Sequence, residues 1–501
     1  MLFNSPEFLF GFLPLTLLGY FLLARLKHRL ALGWLACASL VFYGWWNPAW
    51  LPLMLGSIAF NLLAGRAIAR RVAAQTGSAR RLLVGAIVVD LALLLHFKYA
   101  MFLLDSAAAL LGAAWRAPEI ELPIGISFFT FTQIAFLVDA YQRKAEDFDP
   151  LRYGLFVTYY PHLVAGPILH HRDMMPQFAR ADVLRFDAAR LADGSVIFIL
   201  GLFKKVVLAD GYGGYASPAF AAAAAGHPLS LFESWGAALS YTLQIYFDFS
   251  GYSDMAIGLA WMIGVTLPMN FDAPYRARNI AQFWRRWHMS LSRFLRDYLY
   301  IPLGGNRRGP ARQQLNLMVT MLLGGLWHGA GWTFVIWGGL HGLYLMAFHA
   351  WERAWRRWAG SAMLARVTAW SAPLAWLLTF LAVVVAWVFF RAADLPTALS
   401  VLRGMAGAHG ALLPEQLIAF VPALADVAQS VGKVPYLGDG SVMGCVELAL
   451  MLALGIAVVL AAPTLPALRL RWRYLLVVPC GALALQRVLY GRASEFLYFQ
   501  F

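Results

Sequence analysis

Long apolar segments recur along almost the whole chain, and they restrict it to folds that are built inside a lipid bilayer. Of the 501 residues, 61% are apolar and 13% are charged, whereas a soluble chain carries about 25% charged residues. Bilayer lipid offers no hydrogen-bond partner, so each spanning segment is predicted to be an α-helix. The candidate segments are 6–25, 31–47, 49–65, 83–104, 122–142, 190–209, 231–247, 251–269, 314–327, 331–350, 369–390, 445–463 and 474–490.

The fold class predicted from these segments is an all-α polytopic membrane protein with about eleven to thirteen transmembrane helices plus re-entrant and interfacial helices. The chain shows no fixed-period repeat and no separate hydrophilic domain, so we predict one transmembrane domain over 1–501. The run Ala221–Ala225 and the Gly- and Pro-containing stretch after Leu395 are predicted to be loops.

Positive charge is concentrated in short segments between the apolar ones. The chain has 40 Lys and Arg against 26 Asp and Glu, a net charge of +14. By the positive-inside rule these segments face the cytoplasm of a multi-pass membrane protein. The stretch from about Arg391 to Gly444 is then external. Because the charge is divided among short loops, we do not expect a nucleic-acid partner.

Cysteine and histidine spacing argues against a disulfide framework and a metal site. Cys37, Cys445 and Cys480 lie in or beside apolar segments, which is unlike the pattern of a disulfide-rich secreted chain. The only close cluster of metal-ligand residue types is His170, His171 and Asp173. Its spacing matches no established site, so we expect no metal.

A dense polar run lies within two of the apolar segments. It includes Gln244, Tyr246, Asp248, Ser250 and Asp254. Polar side chains are costly in hydrocarbon, so such a run does not face lipid. It is either a hinge that satisfies the backbone of a broken helix or a wall of a substrate tunnel, and both can hold at once.

Arginine and aromatic residues alternate between residues 284 and 296. Four arginines at roughly helical spacing predict one amphipathic helix at the cytoplasmic interface; they are Arg285, Arg286, Arg293 and Arg296. Guanidinium groups suit phosphates and the neighbouring Trp284 and Trp287 suit an adenine ring, so a CoA-type donor is one candidate ligand. The alternative is that the arginines anchor to anionic lipid headgroups.

A histidine lies deep in the apolar segment that follows this run. A helix that starts near Gln313 rises about 1.5 Å per residue, which places His328 roughly 22 Å from the charged side of the bilayer core. An intramembrane titratable group is a candidate catalytic residue, although a histidine there is often only a packing residue. His288, His341 and His349 share that ambiguity.

Three motifs give the chain a resemblance to the membrane-bound O-acyltransferases, in the bacterial branch that includes the membrane subunits of alginate O-acetylation. They are Phe283–His288 with Ser290–Ser292, Tyr300–Asn306 and Trp327–Gly329. The opening Met1–Ser5 and the aromatic closing string Phe496–Phe501 also resemble this branch.

The resemblance implies a bundle of helices around a central tunnel, with His328 as the catalytic histidine and His288 as the second histidine of the site. From the motifs and the polar run together we predict a set of donor-binding or tunnel-lining residues. They are Trp284, Arg285, Arg286, Trp287, Asn306, Trp327, Gln244, Tyr246 and Asp248.

The activity implied by the resemblance is transfer of an acetyl group from cytoplasmic acetyl-CoA, as substrate, across the inner membrane to a periplasmic acceptor. The acceptor would serve O-acetylation of an exopolysaccharide such as alginate or cellulose. The expected partners are a periplasmic SGNH-type acetyltransferase or acceptor protein and an exopolysaccharide synthesis complex. The alternatives are a D-alanyl or other acyl transferase of the same family and a non-enzymatic polysaccharide export subunit.

Overall fold

Our computed structural model describes residues 1–113, 120–164, 166–465, 470–491 and 494–497, without the side chains of 358–370 and 470. Residues 498–501 of the aromatic closing string therefore lie outside the described residues. Helices dominate the described chain, which confirms the predicted all-α class. In chain order, α1 to α20 are Leu13–Ala24, His28–Gly44, Leu51–Ala73, Ser78–Leu94, Ala100–Leu111, Ile126–Tyr141, Pro150–Thr158, His171–Ala179, Ala188–Phe203, Asp210–Ala224, Leu231–Met262, Ile280–Trp284, Met289–Leu295, Pro310–His328, Trp332–Trp370, Ala372–Arg391, Leu395–Met405, Glu415–Phe420, Val442–Ala461 and Leu470–Tyr490.

Short π and 3-10 segments join or extend several of these helices. The π-helical segments are Glu7–Phe12, Leu95–Tyr99, Lys204–Ala209 and Arg296–Tyr300, and the 3-10 segments are Pro48–Trp50, Asp182–Leu184, Pro274–Arg276 and Pro422–Asp426. In the described chain, strands occur only as β1 (Leu412–Pro414) and β2 (Gln429–Val431), which pair in parallel with Leu412 opposite Gln429.

The chain forms two compact units. The first contains residues 1–203, 251–269 and 470–500, and the second contains 204–250 and 270–469. All residues proposed below for the functional site belong to the second unit.

Five helical stretches of the described chain are long and apolar enough to cross a membrane. They are Glu7–Ala24, Pro48–Ala73, Ser78–Leu111, Ala372–Arg391 and Val442–Ala461. Many of their apolar side chains, such as Leu15 and Leu450, are exposed on the protein surface, as expected for contact with lipid. The other predicted spans lie in helices that are shorter or more polar, so the count of eleven to thirteen stays a prediction.

The predicted hinge in the polar run is wrong, because α11 continues through Gly251 as one helix of 32 residues. Within the first unit, glycines let α11 approach α9 at backbone distance. A Cβ atom on Gly201 would lie 2.7 Å from the Gly251 carbonyl oxygen, and one on Gly258 would lie 2.6 Å from the Gly194 carbonyl oxygen. Glycine here serves close helix packing and not helix breaking.

Two stretches predicted to be loops are helical. Ala221–Ala224 ends α10, because alanine is the strongest helix former, and the turn comes only at Gly226, which has a φ of +86°. After Leu395 the chain forms α17, whose first turn contains Pro396 and is capped by Asp394. Hydrogen bonds from Thr397 hold the pKa of the Asp394 carboxyl below its usual value.

We expect Gly201→Ala to lower the free energy of unfolding by about 1–3 kcal/mol, because its methyl group meets a backbone carbonyl that cannot move aside. Thermal unfolding of the detergent-purified protein measures the change. Gly85→Ala is the matched control in the same unit, since a Cβ there meets nothing within 4 Å; it is expected to be neutral or stabilising. Equal effects of the two substitutions would contradict the packing argument.

Candidate functional site

Close packing of α14 against α15 places His328. A Cβ atom on Gly338 would collide with the carbonyl of Met321, and one on Gly325 would lie 3.2 Å from the Cα of Gly338. Helix α14 ends at His328 because Gly329 has an extended backbone, with φ −157° and ψ 148°. The imidazole is buried and lies, by helix rise, about 27 Å from Pro310 at the start of α14.

His288 occupies a turn between α12 and α13. Its backbone is left-handed, with φ +43° and ψ +55°, a conformation uncommon outside glycine. Asn270 fixes the turn. Its carbonyl accepts from the Met289 amide at 3.0 Å, and its Oδ1 accepts from the amide and hydroxyl of Ser290 at 3.2 and 2.7 Å. The predicted single amphipathic helix is therefore wrong, because the chain leaves the helix at Arg285–His288, where both Trp287 and His288 are buried.

The two predicted catalytic histidines lie side by side. Their ring centroids are 6.3 Å apart, and both rings are buried. Trp327 contacts both, with its ring centroid 4.9 Å from His328 and 6.0 Å from His288. Two nitrogen atoms that bond the same oxygen atom are at most about 6 Å apart, and ring centroids 6.3 Å apart are compatible with such a separation. Their catalytic roles remain predictions.

Aromatic side chains enclose this histidine pair. The Phe249 ring lies 4.6 Å from that of His288, and the rings of Trp337 and Phe390 lie 5.1 and 5.3 Å from that of His328. Sequence reasoning missed these three residues and Asn270. Trp337 and Phe390 lie on apolar segments that look like ordinary lipid-facing helices, and the only available signal was the i, i+4 spacing of Trp337 and His341.

A basic cavity of about 510 Å³ opens beside α12, α13 and α14. Three exposed arginines, Arg285, Arg293 and Arg296, line it together with His349. A hydrogen bond to Asp297 raises the pKa of the Arg296 guanidinium, so this group stays charged. The apolar part of the wall includes Trp284 and the α14 residues Leu317 and Met321. The cavity therefore combines positive charge with apolar surface.

Two predicted site residues of the arginine run lie elsewhere. The Arg286 guanidinium donates to the carbonyl oxygen of Asp272 at 3.4 Å, and its own carbonyl accepts from the Asp272 amide at 3.0 Å. Trp287 is buried against Trp387, with ring centroids 4.9 Å apart. Arg286 and Trp287 therefore contact Asp272 and Trp387 and do not line the basic cavity.

Asn306 is not near the histidines. It is exposed in the turn before α14, at the opposite end of that helix from His328. The side-chain amide of Asn316 donates to the carbonyl oxygen of Gly305, the residue before Asn306, at 2.9 Å. This hydrogen bond anchors the turn to α14 at a point roughly 18 Å from His328 by helix rise.

The predicted tunnel residues on α11 face different neighbours. The Tyr246 ring contacts those of Phe271 and Trp287 at centroid distances of 6.0 and 6.4 Å. Gln244 lies against Gly213, where a Cβ would be 2.6 Å from its amide nitrogen. Of these two, Tyr246 packs on Trp287, the residue that precedes His288 in the chain.

Asp248, also predicted to line a tunnel, belongs to a buried ion cluster. Its Oδ1 lies 2.8 Å from the Nζ atom of Lys205, which is also 2.7 Å from the Oδ1 of Asp210. Both Asp248 and Lys205 are almost completely buried. The following residue is Phe249, so this cluster fixes the part of α11 that contacts His288.

These features define an integral membrane protein with a paired-histidine site beside a basic cavity. A family model described as the membrane-bound O-acyltransferase (MBOAT) family matches residues 78–390, which include every residue of this site. The chain belongs to this family. It is therefore an acyltransferase enzyme and a multi-pass protein of the bacterial inner membrane.

Two similar proteins cover most of the chain, and a third covers less than half of it. The peptidoglycan O-acetyltransferase of Helicobacter pylori is 43% identical over 82% of this chain and 81% of its own length. The probable alginate O-acetylase AlgI of Azotobacter vinelandii is 44% identical over 79% of this chain and 76% of its own. A teichoic acid D-alanyltransferase of Streptococcus thermophilus is 28% identical over 46% of this chain and 57% of its own.

We expect Lys205→Met to destabilise the protein strongly, by about 3–5 kcal/mol, because Asp248 would remain as an uncompensated buried charge. The double substitution Lys205→Met with Asp248→Leu removes both charges and should recover a large part of that loss. Thermal unfolding of wild type, the two single variants and the double variant measures the coupling. Additive losses would show that the pair does not act as a unit.

Proposed function

We propose that the protein transfers an acetyl group from cytoplasmic acetyl-CoA to a hydroxyl group on the periplasmic side, for O-acetylation of an extracellular polysaccharide. The observation that carries the proposal is the pair of buried histidines, 6.3 Å apart, next to a basic cavity. Relatives named for O-acetylation of peptidoglycan and of alginate support the polysaccharide class.

In the proposed reaction His328 is the general base. Its neutral imidazole accepts the proton of the acceptor hydroxyl while the hydroxyl oxygen attacks the thioester carbonyl carbon. The C–O bond forms, the C–S bond breaks, and the departing thiolate takes the proton from the His328 imidazolium. His288 orients the hydroxyl or stabilises the negative oxygen, and the apolar enclosure strengthens either electrostatic effect.

The basic cavity is the proposed donor site. Arg285, Arg293 and Arg296 supply charge for the CoA phosphates, and Trp284 supplies an aromatic face for the adenine ring. Met321 in the cavity wall lies seven residues before His328 on α14, which is about 10 Å of helix rise. The extended arm of CoA that carries the acyl group suits this separation between the cavity and His328.

The proposed direction of transfer follows from the charge distribution. The turn before α14 carries Arg307 and Arg308, and the positive-inside rule assigns this side to the cytoplasm. With the donor on that side, the acceptor reaches His328 from the opposite face. We infer a periplasmic partner protein, of the SGNH acetyltransferase class or another acceptor, that passes the acetyl group to a polymer such as alginate or cellulose.

A D-alanyl transferase is the second candidate within the family, because a relative of that name matches part of the chain. The donor distinguishes the two functions. Purified protein that consumes acetyl-CoA and releases free CoA in the presence of acceptor supports the proposal, whereas turnover only with a D-alanyl carrier protein supports the alternative.

We expect His328→Ala to lower acetyl transfer on the order of a hundredfold or more, because the substitution removes the general base that takes the hydroxyl proton. The measurement is the ester-linked acetyl content of secreted polymer from cells that contain the variant at wild-type level. His349→Ala is a comparison for loss of a histidine at the cavity, and it should retain measurable transfer. Unchanged acetylation with His328→Ala would refute the general-base role.

Removal of cavity charge should weaken donor binding and leave the chemical step largely intact. We expect the double variant Arg293→Ala, Arg296→Ala to raise the KM for acetyl-CoA about tenfold. This is the loss expected when two charge-assisted contacts that are partly exposed to solvent are removed. Arg307→Ala is the matched control, because this arginine is exposed and lies outside the cavity. Steady-state kinetics measures both, and an unchanged KM in the double variant would exclude this cavity as the donor site.

A further inference from the structure

Among the described residues of the second unit, His341 is the third buried histidine, and neither the reaction nor the donor site described above uses it. It lies on α15, is completely buried, and its Nδ1 is 3.3 Å from the indole Nε1 of Trp284. Its Nε2 has no hydrogen-bond partner among the described residues. The contact with Trp284 is therefore its one hydrogen bond in the described part of the chain.

The partner determines the state of this imidazole. An indole N–H can only donate, so Nδ1 of His341 must accept. In a neutral imidazole the proton then lies on Nε2, and an imidazolium, which donates from both nitrogens, would lose the bond. His341 is thus suited to hold the Trp284 indole in place. Because its Nδ1 already accepts this hydrogen bond, Nδ1 is not oriented to take a proton from a substrate.

Trp284 connects this bond to the cavity. Its ring is part of the cavity wall and lies 5.1 Å from that of His341 and 5.8 Å from that of Trp337. Trp337 in turn lies 5.1 Å from His328. One chain of contacts therefore joins the wall of the basic cavity to the proposed catalytic histidine.

Phe283 also packs on the His341 imidazole. The His341 ring is nearly parallel to that of Phe283, with an interplanar angle of 5° and centroids 6.0 Å apart. Phe283 and Trp284 are successive residues at the end of α12, so both anchor the same turn. Without the hydrogen bond, only ring packing would hold the Trp284 side chain in the wall.

We propose that His341 is a positioning residue that holds Trp284 in the wall of the donor cavity and thereby sets how tightly the acyl donor binds. The inference rests on the proposed function, because it takes the basic cavity as the acetyl-CoA site. His341 does not touch the reacting atoms. Its effect is on the KM for the donor more than on kcat.

The test is a double-mutant cycle on the full-length protein with acetyl-CoA as the donor. His341→Leu removes the acceptor and Trp284→Phe removes the donor N–H while keeping an aromatic ring. Each single variant should raise the KM for acetyl-CoA about fivefold, the magnitude of one neutral hydrogen bond. The double variant should show no further rise, because both changes remove the same interaction.

His341→Asn supplies the rescue. The amide oxygen of asparagine can occupy the place of Nδ1 and accept from Trp284, so its KM should lie close to that of wild type. Tyr344→Phe is the control on the same helix, since its ring lies 5.8 Å from His341 and ring packing is retained. It should behave as wild type.

The outcomes separate the two proposals. A wild-type protein that does not turn over acetyl-CoA overturns the proposed function itself. Active wild type with multiplicative effects of His341→Leu and Trp284→Phe, or with a fall in kcat alone, overturns the positioning role. If His341→Leu does not fold, the comparison of Trp284→Phe and His341→Asn with Tyr344→Phe decides, and an unchanged KM in Trp284→Phe refutes the inference.

Discussion

The backbone contact between α14 and α15 is the interaction on which the site depends. Gly325 and Gly338 let the two helices approach until main-chain atoms touch, and few other residue types permit this within a membrane. The contact brings Trp337 to the His328 ring. The same contact fixes the position of His341 relative to α12. The two glycines therefore determine where the histidines of α14 and α15 lie.

Electrostatic interactions also support the site, although the charged groups take no part in the proposed reaction. The buried pair of Lys205 and Asp248 fixes one turn of α11, and the next residue of that turn packs on His288. A charged pair in a low-dielectric interior is costly to form and costly to break. Such a pair therefore favours one register of the helix over neighbouring ones, and the orientation of His288 benefits from that selectivity.

The sequence was sufficient for the fold class and for singling out the two histidines that lie 6.3 Å apart in the structure, although their catalytic roles remain predictions. Hydropathy marks helices in a bilayer directly, and the motif that contains Trp327 and His328 is specific. The sequence was insufficient where tertiary packing overrides local pattern. Gly251 looked like a break but serves a helix crossing, and the arginine run looked like one helix but turns at His288. Asp248 could not be matched with Lys205, because their contact joins segments 43 residues apart, as the numbering shows.

The left-handed backbone at His288 also restricts how this position can change over evolutionary time. Glycine, asparagine and aspartate adopt this conformation readily, whereas β-branched and bulky apolar residues do not. Of those three, asparagine alone offers both a neutral hydrogen-bond donor and an acceptor in its side chain. Asparagine is therefore the one substitution at residue 288 that keeps both the backbone conformation and a neutral hydrogen-bonding side chain.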